Sequence, residues 1–248
     1  MSYMIYPYSS VSEGAKNIAD GLGGMRIKRS GSTYLYKDTD VVINWGSSDN
    51  PFPKALNANI GSVLSKKAFF DRCKYADITP RYALDPTAAK ALGPKLVCRA
   101  TDKGKDGEGI TIWEGDGPLP NAVLYVQFQP KTAEYRVHVG RTKDGEIVII
   151  GQQRKFKPSG GDIWAGDSCY FRWNEPATGL PVVLPEGVRD VVFKTLALFE
   201  EITFTGLDII YDSATGKAFV LEANSAPMMT PKTVECYTTF FNKFYPVS

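Results

Sequence analysis

Glu222 and Asn224 stand two residues apart in the run VLEANSAP, and Asp208 stands fourteen residues before Glu222 in GLDIIYD. An ionised carboxylate at the end of an apolar, strand-like run is costly to bury unless a cation or hydrogen-bond donors pair with it. The two runs flank the turn SATGK and read as a β-hairpin. A register pairing Asp212 with Ala218 sets Asp208 directly across from Glu222, on one face of the sheet. Asn224 joins them, because residues i and i+2 share a face. Two carboxylates meeting in this way repel one another unless something positive bridges them. Oxygen ligands of this kind suit a hard divalent cation such as Mg²⁺, which keeps much of its shell for phosphate and water. The plain alternative is a solvated sheet face. A one-residue slip of register would turn Glu222 away from Asp208 and remove the metal site.

Composition narrows the chemistry further. The 248 residues are 43% hydrophobic and 23% charged, ordinary for a globular protein with room for a substantial core. No apolar run approaches the ~20 residues that span a bilayer, and MSYMIYPYSS lacks the character of a secretory signal. The expectation is a cytoplasmic protein with no membrane partner. Four scattered cysteines (Cys73, Cys98, Cys169, Cys236) and the single histidine, His138, argue against a structural zinc site and against Ser-His or Cys-His hydrolysis. Neither G-x-G-x-x-G nor G-x-x-x-x-G-K-[ST] occurs. A net charge of +2 implies no polyanionic partner by itself.

The elements that must position these groups mix strands with a few helices. DVVINWG is the clear strand of the first fifty or so residues, a portion short for a doubly wound domain, and GLGGM reads as a turn. Ile60, Val63, Leu64 and Phe70 give helical spacing over 57–75, ending before the proline of ITP. A short helix is expected over 86–92, then strands KLVCRA and GITIWEG around a loop of glycines and charges. A strand over 124–129 precedes the hairpin of AEYRVHVG and EIVIIGQQRKF. Residues 158–185, rich in Gly, Pro and aromatics, read as a long irregular stretch. EGVRDVVFKTLALFEEI puts Val188, Val191, Val192, Leu196 and Phe199 on one helical face. The pattern as a whole is α+β.

G-x-D, a gap, and V-L-E-x-N-x-x-P resemble the metal-binding end of the ATP-grasp superfamily, closest to its glutamate-ligase and glutathione-synthetase-like branch. The compact size and the wording of the motifs are similar to those of phage-encoded members. The resemblance, which spans about residues 57–231, implies an ATP-grasp fold in which two α+β subdomains hold nucleotide between antiparallel sheets. Residues 57–125 would carry the glycine-rich loop and 126–248 the metal site, after a reduced N-terminal segment, 1–56. Asp208, Glu222 and Asn224 are implied to hold one or two Mg²⁺ ions, with Mn²⁺ as a substitute, against the phosphates of ATP.

The upstream motifs follow in order. SKKAFFDRCKYADITP matches the family's helix lysine at Lys66 or Lys67, and the framing S-K-x-x-F-F favours Lys66. VCRATDKGKDGEGI supplies Arg99, where the superfamily more often has lysine, and then a loop with Lys105, Gly107 and Gly109. Glycine there lets backbone N–H groups approach phosphate oxygens. In LYVQFQP, Gln127 matches the glutamine of the strand that carries the adenine, and Phe128 replaces the acidic residue after it. AEYRVHVG resembles the acidic-x-R strand, whose arginine, here Arg136, is implied to face the reacting acyl phosphate or carboxylate. Alternation puts Glu134 on the same face, where an acid and an arginine could simply pair. QQRKFK offers Arg154 or Lys155 as a further cation, with Arg154 joining Arg136 at the acyl phosphate. The implied activity is ATP- and Mg²⁺-dependent carboxylate–amine ligation, with small-molecule acid and amine substrates and a peptide or nucleic acid as alternative acceptors. A kinase-like or non-amide ligase, a non-catalytic nucleotide-binding protein and, from the cations of Lys131–Lys157 and the nearby aromatics Tyr170, Phe171 and Trp173, a nucleic-acid-binding protein are the other readings.

Overall fold

The computed structural model describes residues 1–102, 108–115, 117–157 and 169–247. YMIYP, with every residue buried, forms β1 (Tyr3–Pro7). After it come α1 (Glu13–Gly21), β2 (Met25–Arg26) and β3 (Val41–Trp45), and the strands pair in parallel in the order β2-β1-β3. Ser12 caps α1 by accepting a hydrogen bond from the Ala15 N–H at 3.3 Å. The segment therefore holds more than the one strand that DVVINWG predicts. β1 carries no period-two signal because Tyr3 and Ile5 pack into one cluster and Met4 and Tyr6 into another.

The helix expected over 57–75 is broken. α2 (Gly61–Leu64) and α3 (Lys66–Cys73) are separated by Ser65, whose hydroxyl caps α3 by accepting from the Ala68 N–H at 3.1 Å. Serine competes for backbone donors in this way, so an apolar period running through it does not keep one helix. Before α2, Asn57 adopts φ 59°, a conformation that asparagine tolerates. Its side chain donates to Phe204 O at 2.8 Å and accepts from the Thr203 N–H at 2.7 Å.

Two antiparallel sheets follow. The first holds β4 (Tyr82–Ala83), β5 (Lys95–Arg99), β6 (Ile110–Glu114) and β7 (Leu124–Gln127) in the order β4-β7-β5-β6, with α4 (Pro86–Lys90) packed on β4 and β7. The second holds β8 (Ala133–Arg141), β9 (Ile147–Phe156), β10 (Tyr170–Arg172), β11 (Phe204–Asp212) and β12 (Lys217–Asn224), in the order β10-β9-β8-β11-β12. Part of the stretch read as irregular thus forms an edge strand, while residues 158–168 lie outside the described ones. α5 (Glu186–Leu198) buries Val188, Val191, Val192 and Leu196 against β11 and β12, as its spacing predicts, with Phe199 buried just beyond its end.

The aromatic C-terminal residues form α6 (Pro231–Phe244), capped by Thr230. Tyr237, Phe240 and Phe241 join Ile5, Ile18 and Trp45 in one core. At Gly46, with φ +79°, a Cβ would lie 2.7 Å from the Ala226 methyl. Only glycine lets the N-terminal sheet close against the loop after β12. Among the described residues, no helix is long and apolar enough to cross a membrane.

His138 is buried inside the five-stranded unit. Its Nδ1 lies 3.2 Å from the Tyr237 hydroxyl, its Nε2 lies 3.1 Å from Gln153 Oε1, and its ring stacks on Trp173. Burial pushes the imidazole down to about 4, below the ~6.5 of an unfolded chain. Between those values the unfolded state binds the extra proton, so stability falls as pH drops through the window. From pH 7 to pH 5 the protein is expected to lose about 2 kcal/mol more than its His138→Gln variant. Urea unfolding at the two pH values measures this, and equal slopes would exclude a neutral buried imidazole.

Candidate active site

The β11–β12 hairpin sets Asp208 against Glu222 by a route the turn length does not predict. At the turn Asp212 pairs with Lys217 and Tyr211 with Ala218, one residue off the expected register. Carried to the end of the hairpin, that register would have turned Glu222 to the opposite face. A bulge between Asp208 and Ile209 takes up Leu221, after which Asp208 pairs with Glu222 and Gly206 with Asn224. The extra residue re-aims the end of β12. Asn224 Nδ2 donates to Glu222 Oε1 at 3.4 Å, so these two side chains meet.

Register extends the pair into a row. Glu222 on β12, Asp208 on β11, Arg136 on β8 and Gln153 on β9 are successive cross-strand partners. Arg136 Nε and Nη2 each donate to the Asp208 carboxylate at 2.7 Å, and the Phe171 ring lies 4.3 Å from the guanidinium. The acid that pairs with Arg136 is thus Asp208. Glu134 instead takes Lys131 at 2.6 Å and Lys155 at 2.9 Å. Lys66 Nζ stands 3.4 Å from Glu222 Oε2, so the lysine favoured by its sequence framing reaches the row. Burial raises the Asp208 carboxyl, with Glu222 pushing the same way and Arg136 pulling it down. Burial pulls the Arg136 guanidinium down, but Asp208 outweighs it and holds the group above its ordinary value.

Glu222, Asp208, Arg136 and Gln153 line a cavity of about 590 Å³ between the two antiparallel sheets, and Lys66 and Asn224 stand behind Glu222 without lining it. From the four-stranded wall, Arg99 reaches in. Its Nε is buried with no hydrogen-bond partner among the described residues. Burial lowers its guanidinium and Glu222 opposes that. A buried, unsatisfied cationic donor is a standing demand for an anion. Gln127 and Phe128 also line the cavity. Gln127 Oε1 accepts from Arg81 Nε at 3.2 Å, and the Phe128 N–H donates to Lys95 O at 3.0 Å, beneath a Lys95 ammonium 4.3 Å from the ring. Gly109, at φ +69°, closes the loop, its carbonyl accepting from the Ala100 N–H at 2.8 Å. Lys105 and Gly107 lie outside the described residues.

Arg154 is the site residue that the fold turns away. It pairs across the strands with Tyr135, whose side chain is buried in the core, and its Nη1 lies 3.2 Å from Glu175. Alternation then gives the cavity to Gln153 and Lys155. Of Arg154 and Lys155, the cavity receives Lys155. Lys131, Glu134, Gln153 and Phe171 line it too.

Among the described residues, no three His, Cys, Asp or Glu side chains gather as a cage for a metal. Asp208, Glu222 and Asn224 offer two carboxylates and one amide oxygen. So small a set of hard donors fits Mg²⁺ sharing its shell with phosphate and water, beside the unsatisfied Arg99.

No protein-family model matches the sequence, and neither does any curated protein sequence. Solved structures match the fold. N5-carboxyaminoimidazole ribonucleotide synthetase from Thermotoga maritima aligns over 100% of this chain and 77% of its own, with a TM-score of 0.62 and 15% identity. The ATP-grasp ligase PsnB, in complex with a minimal precursor, aligns over 93% of this chain and 92% of its own, with a TM-score of 0.61 and 12% identity. D-alanine–D-alanine ligase from Bacillus anthracis, in complex with ATP, aligns over 98% and 96%, with a TM-score of 0.61 and 13% identity. At such identities the likeness is one of fold. With its two antiparallel sheets facing each other across one cavity, this α+β chain has the ATP-grasp fold.

Proposed function

We propose that the protein is an ATP- and Mg²⁺-dependent carboxylate–amine ligase that forms an amide through an acyl phosphate. The observation that carries this reading is one cleft in which the facing carboxylates Asp208 and Glu222 meet the cations Arg99 and Arg136, with Lys66 paired to Glu222. The similar structures, a synthetase and ligases of which one was solved with ATP, support it. Residues 57–125 and 126–248 act as the two jaws on the nucleotide, and 1–56 is a reduced preceding segment.

Asp208, Glu222 and Asn224 would hold Mg²⁺, which when bound neutralises phosphate charge. Lys66 and Arg99 grip the phosphates. The substrate carboxylate attacks the γ-phosphorus and ADP leaves. The amine then attacks the acyl carbon, giving up a proton as inorganic phosphate departs. Little covalent work falls to the protein, whose share is positioning and charge compensation. Arg136, with Lys155 where Arg154 was expected, faces the acyl oxygens. The cleft walls keep water from the acyl phosphate.

ATP with Mg²⁺ is expected to raise the melting temperature. At a hundredfold excess over Kd the gain is about 2.7 kcal/mol, and ATP or Mg²⁺ alone gives much less. Absence of a shift with both present would overturn the reading. Phosphate release across pools of amino acids, short dicarboxylates and amines then finds the substrates, and an amide product separates a ligase from a kinase-like enzyme.

A further inference from the structure

We propose that Gln153 binds the carboxylate of the acid substrate through an amide N–H that His138 and Tyr237 hold toward the cleft. The inference rests on the ligase reading above and deepens it.

Gln153 closes the row that begins at the metal end. It is 4% exposed and lines the cavity, next to Arg136. β12 is an edge strand, so the metal pair has in-sheet neighbours on one side only: Arg136, then Gln153. An oxygen that attacks a phosphoryl group held at Asp208 and Glu222 finds its donors along that side.

The orientation of the amide follows from what lies beneath it. The buried Tyr237 hydroxyl has a proton to give, and a bare imidazole nitrogen accepts it far better than a phenol oxygen accepts from imidazole. Nδ1 of His138 therefore accepts from Tyr237, at 3.2 Å, and Nε2 carries the ring proton. Nε2–H donates to Gln153 Oε1 at 3.1 Å. Trp173 stacks on the imidazole, and Gly151 leaves room for that indole, since a Cβ there would lie 2.7 Å from it. With its oxygen held inward, the amide has only N–H groups left for the cavity, and among the described residues its nitrogen has no partner. A donor-only amide suits an oxyanion and offers a cationic amine no acceptor. The row therefore takes the acid and leaves the amine to enter elsewhere.

Two measurements test this. His138 is the only histidine, so ¹⁵N-histidine NMR reads one imidazole. Nε2 is expected to be protonated and Nδ1 bare at neutral pH, and a protonated Nδ1 would overturn the orientation. In the phosphate-release assay, Gln153→Ala should raise the KM of the active carboxylate about 10-fold or more, the scale of one lost hydrogen bond to a charged group. Its kcat and its MgATP affinity by calorimetry should hold within about twofold. Gln153→Glu should lose more, because it sets like charge against the acid. Tyr237→Phe, acting through His138, should raise the same KM by a smaller factor and spare MgATP binding. An unchanged carboxylate KM in Gln153→Ala, or MgATP affinity lost 10-fold, would sink the assignment. A wild type that binds MgATP but releases phosphate with no carboxylate overturns the ligase reading and the carboxylate with it. The NMR result, which needs no turnover, keeps that failure distinct from an error in the orientation.

Discussion

Glu222→Gln is expected to abolish Mg²⁺-dependent ATP turnover, by roughly 100-fold or more, on the scale of removing one preorganised charge contact at a reacting phosphoryl group. The substitution keeps the shape of the side chain and its place opposite Asp208 at the bulge. It removes the charge that meets Lys66 at 3.4 Å. Side-chain exposure of 28% at Glu222 and 13% at Lys66 puts the cost to the fold of losing this pair at about 1 kcal/mol or less. Function and stability should therefore separate. Phosphate release falls, MgATP no longer raises the melting temperature, and the circular dichroism spectrum is unchanged. Turnover retained in a folded Glu222→Gln protein would place the cation on other residues.

The hairpin shows what a sequence can carry and where it stops. Apolar runs on either side of SATGK fixed the pairing of β11 with β12, and parity offered Asp208 and Glu222 as partners. The turn register differs by one, and the bulge at Leu221 restores the meeting. Nothing in VLEANSAP marks that extra residue, because a bulge depends on the twist of neighbouring strands and not on one residue type. Arg154 fails for a related reason. Two adjacent basic residues point to opposite faces, and only the pairing of Arg136 with Gln153 says which one meets the cavity. β1 and its helix were hidden because a strand covered on both faces loses its alternation. The contact of Phe171 with Arg136 was hidden because the two lie thirty-five residues apart in sequence and next to each other in space. By contrast α5 and the β8–β9 hairpin were plain, since each buries one face and exposes its period.

Arg136→Ala is expected to be the most destabilising change at the site, costing about 3–5 kcal/mol because it leaves a buried carboxylate uncompensated. Side chains of Arg136 and Asp208 are 16% and 10% exposed and share two hydrogen bonds of 2.7 Å. Burial already raises the Asp208 carboxyl, and Arg136 is the first influence that lowers it. Without the guanidinium the folded pKa rises further above its unfolded value. The folded state then binds more protons than the unfolded one, and stability grows as pH falls through that range. The deficit should thus be largest at neutral pH and shrink on acidification. Adding Asp208→Asn should recover most of the loss, since an amide there leaves no charge to compensate, and the double-mutant cycle measures the coupling. Urea unfolding at neutral and mildly acidic pH reads all three proteins. A cost below about 1 kcal/mol for Arg136→Ala, or no recovery from Asp208→Asn, would mean that water reaches Asp208 in the free protein. The row would then be wet before any ligand arrives, and the cations would be held for their charge more than for their geometry.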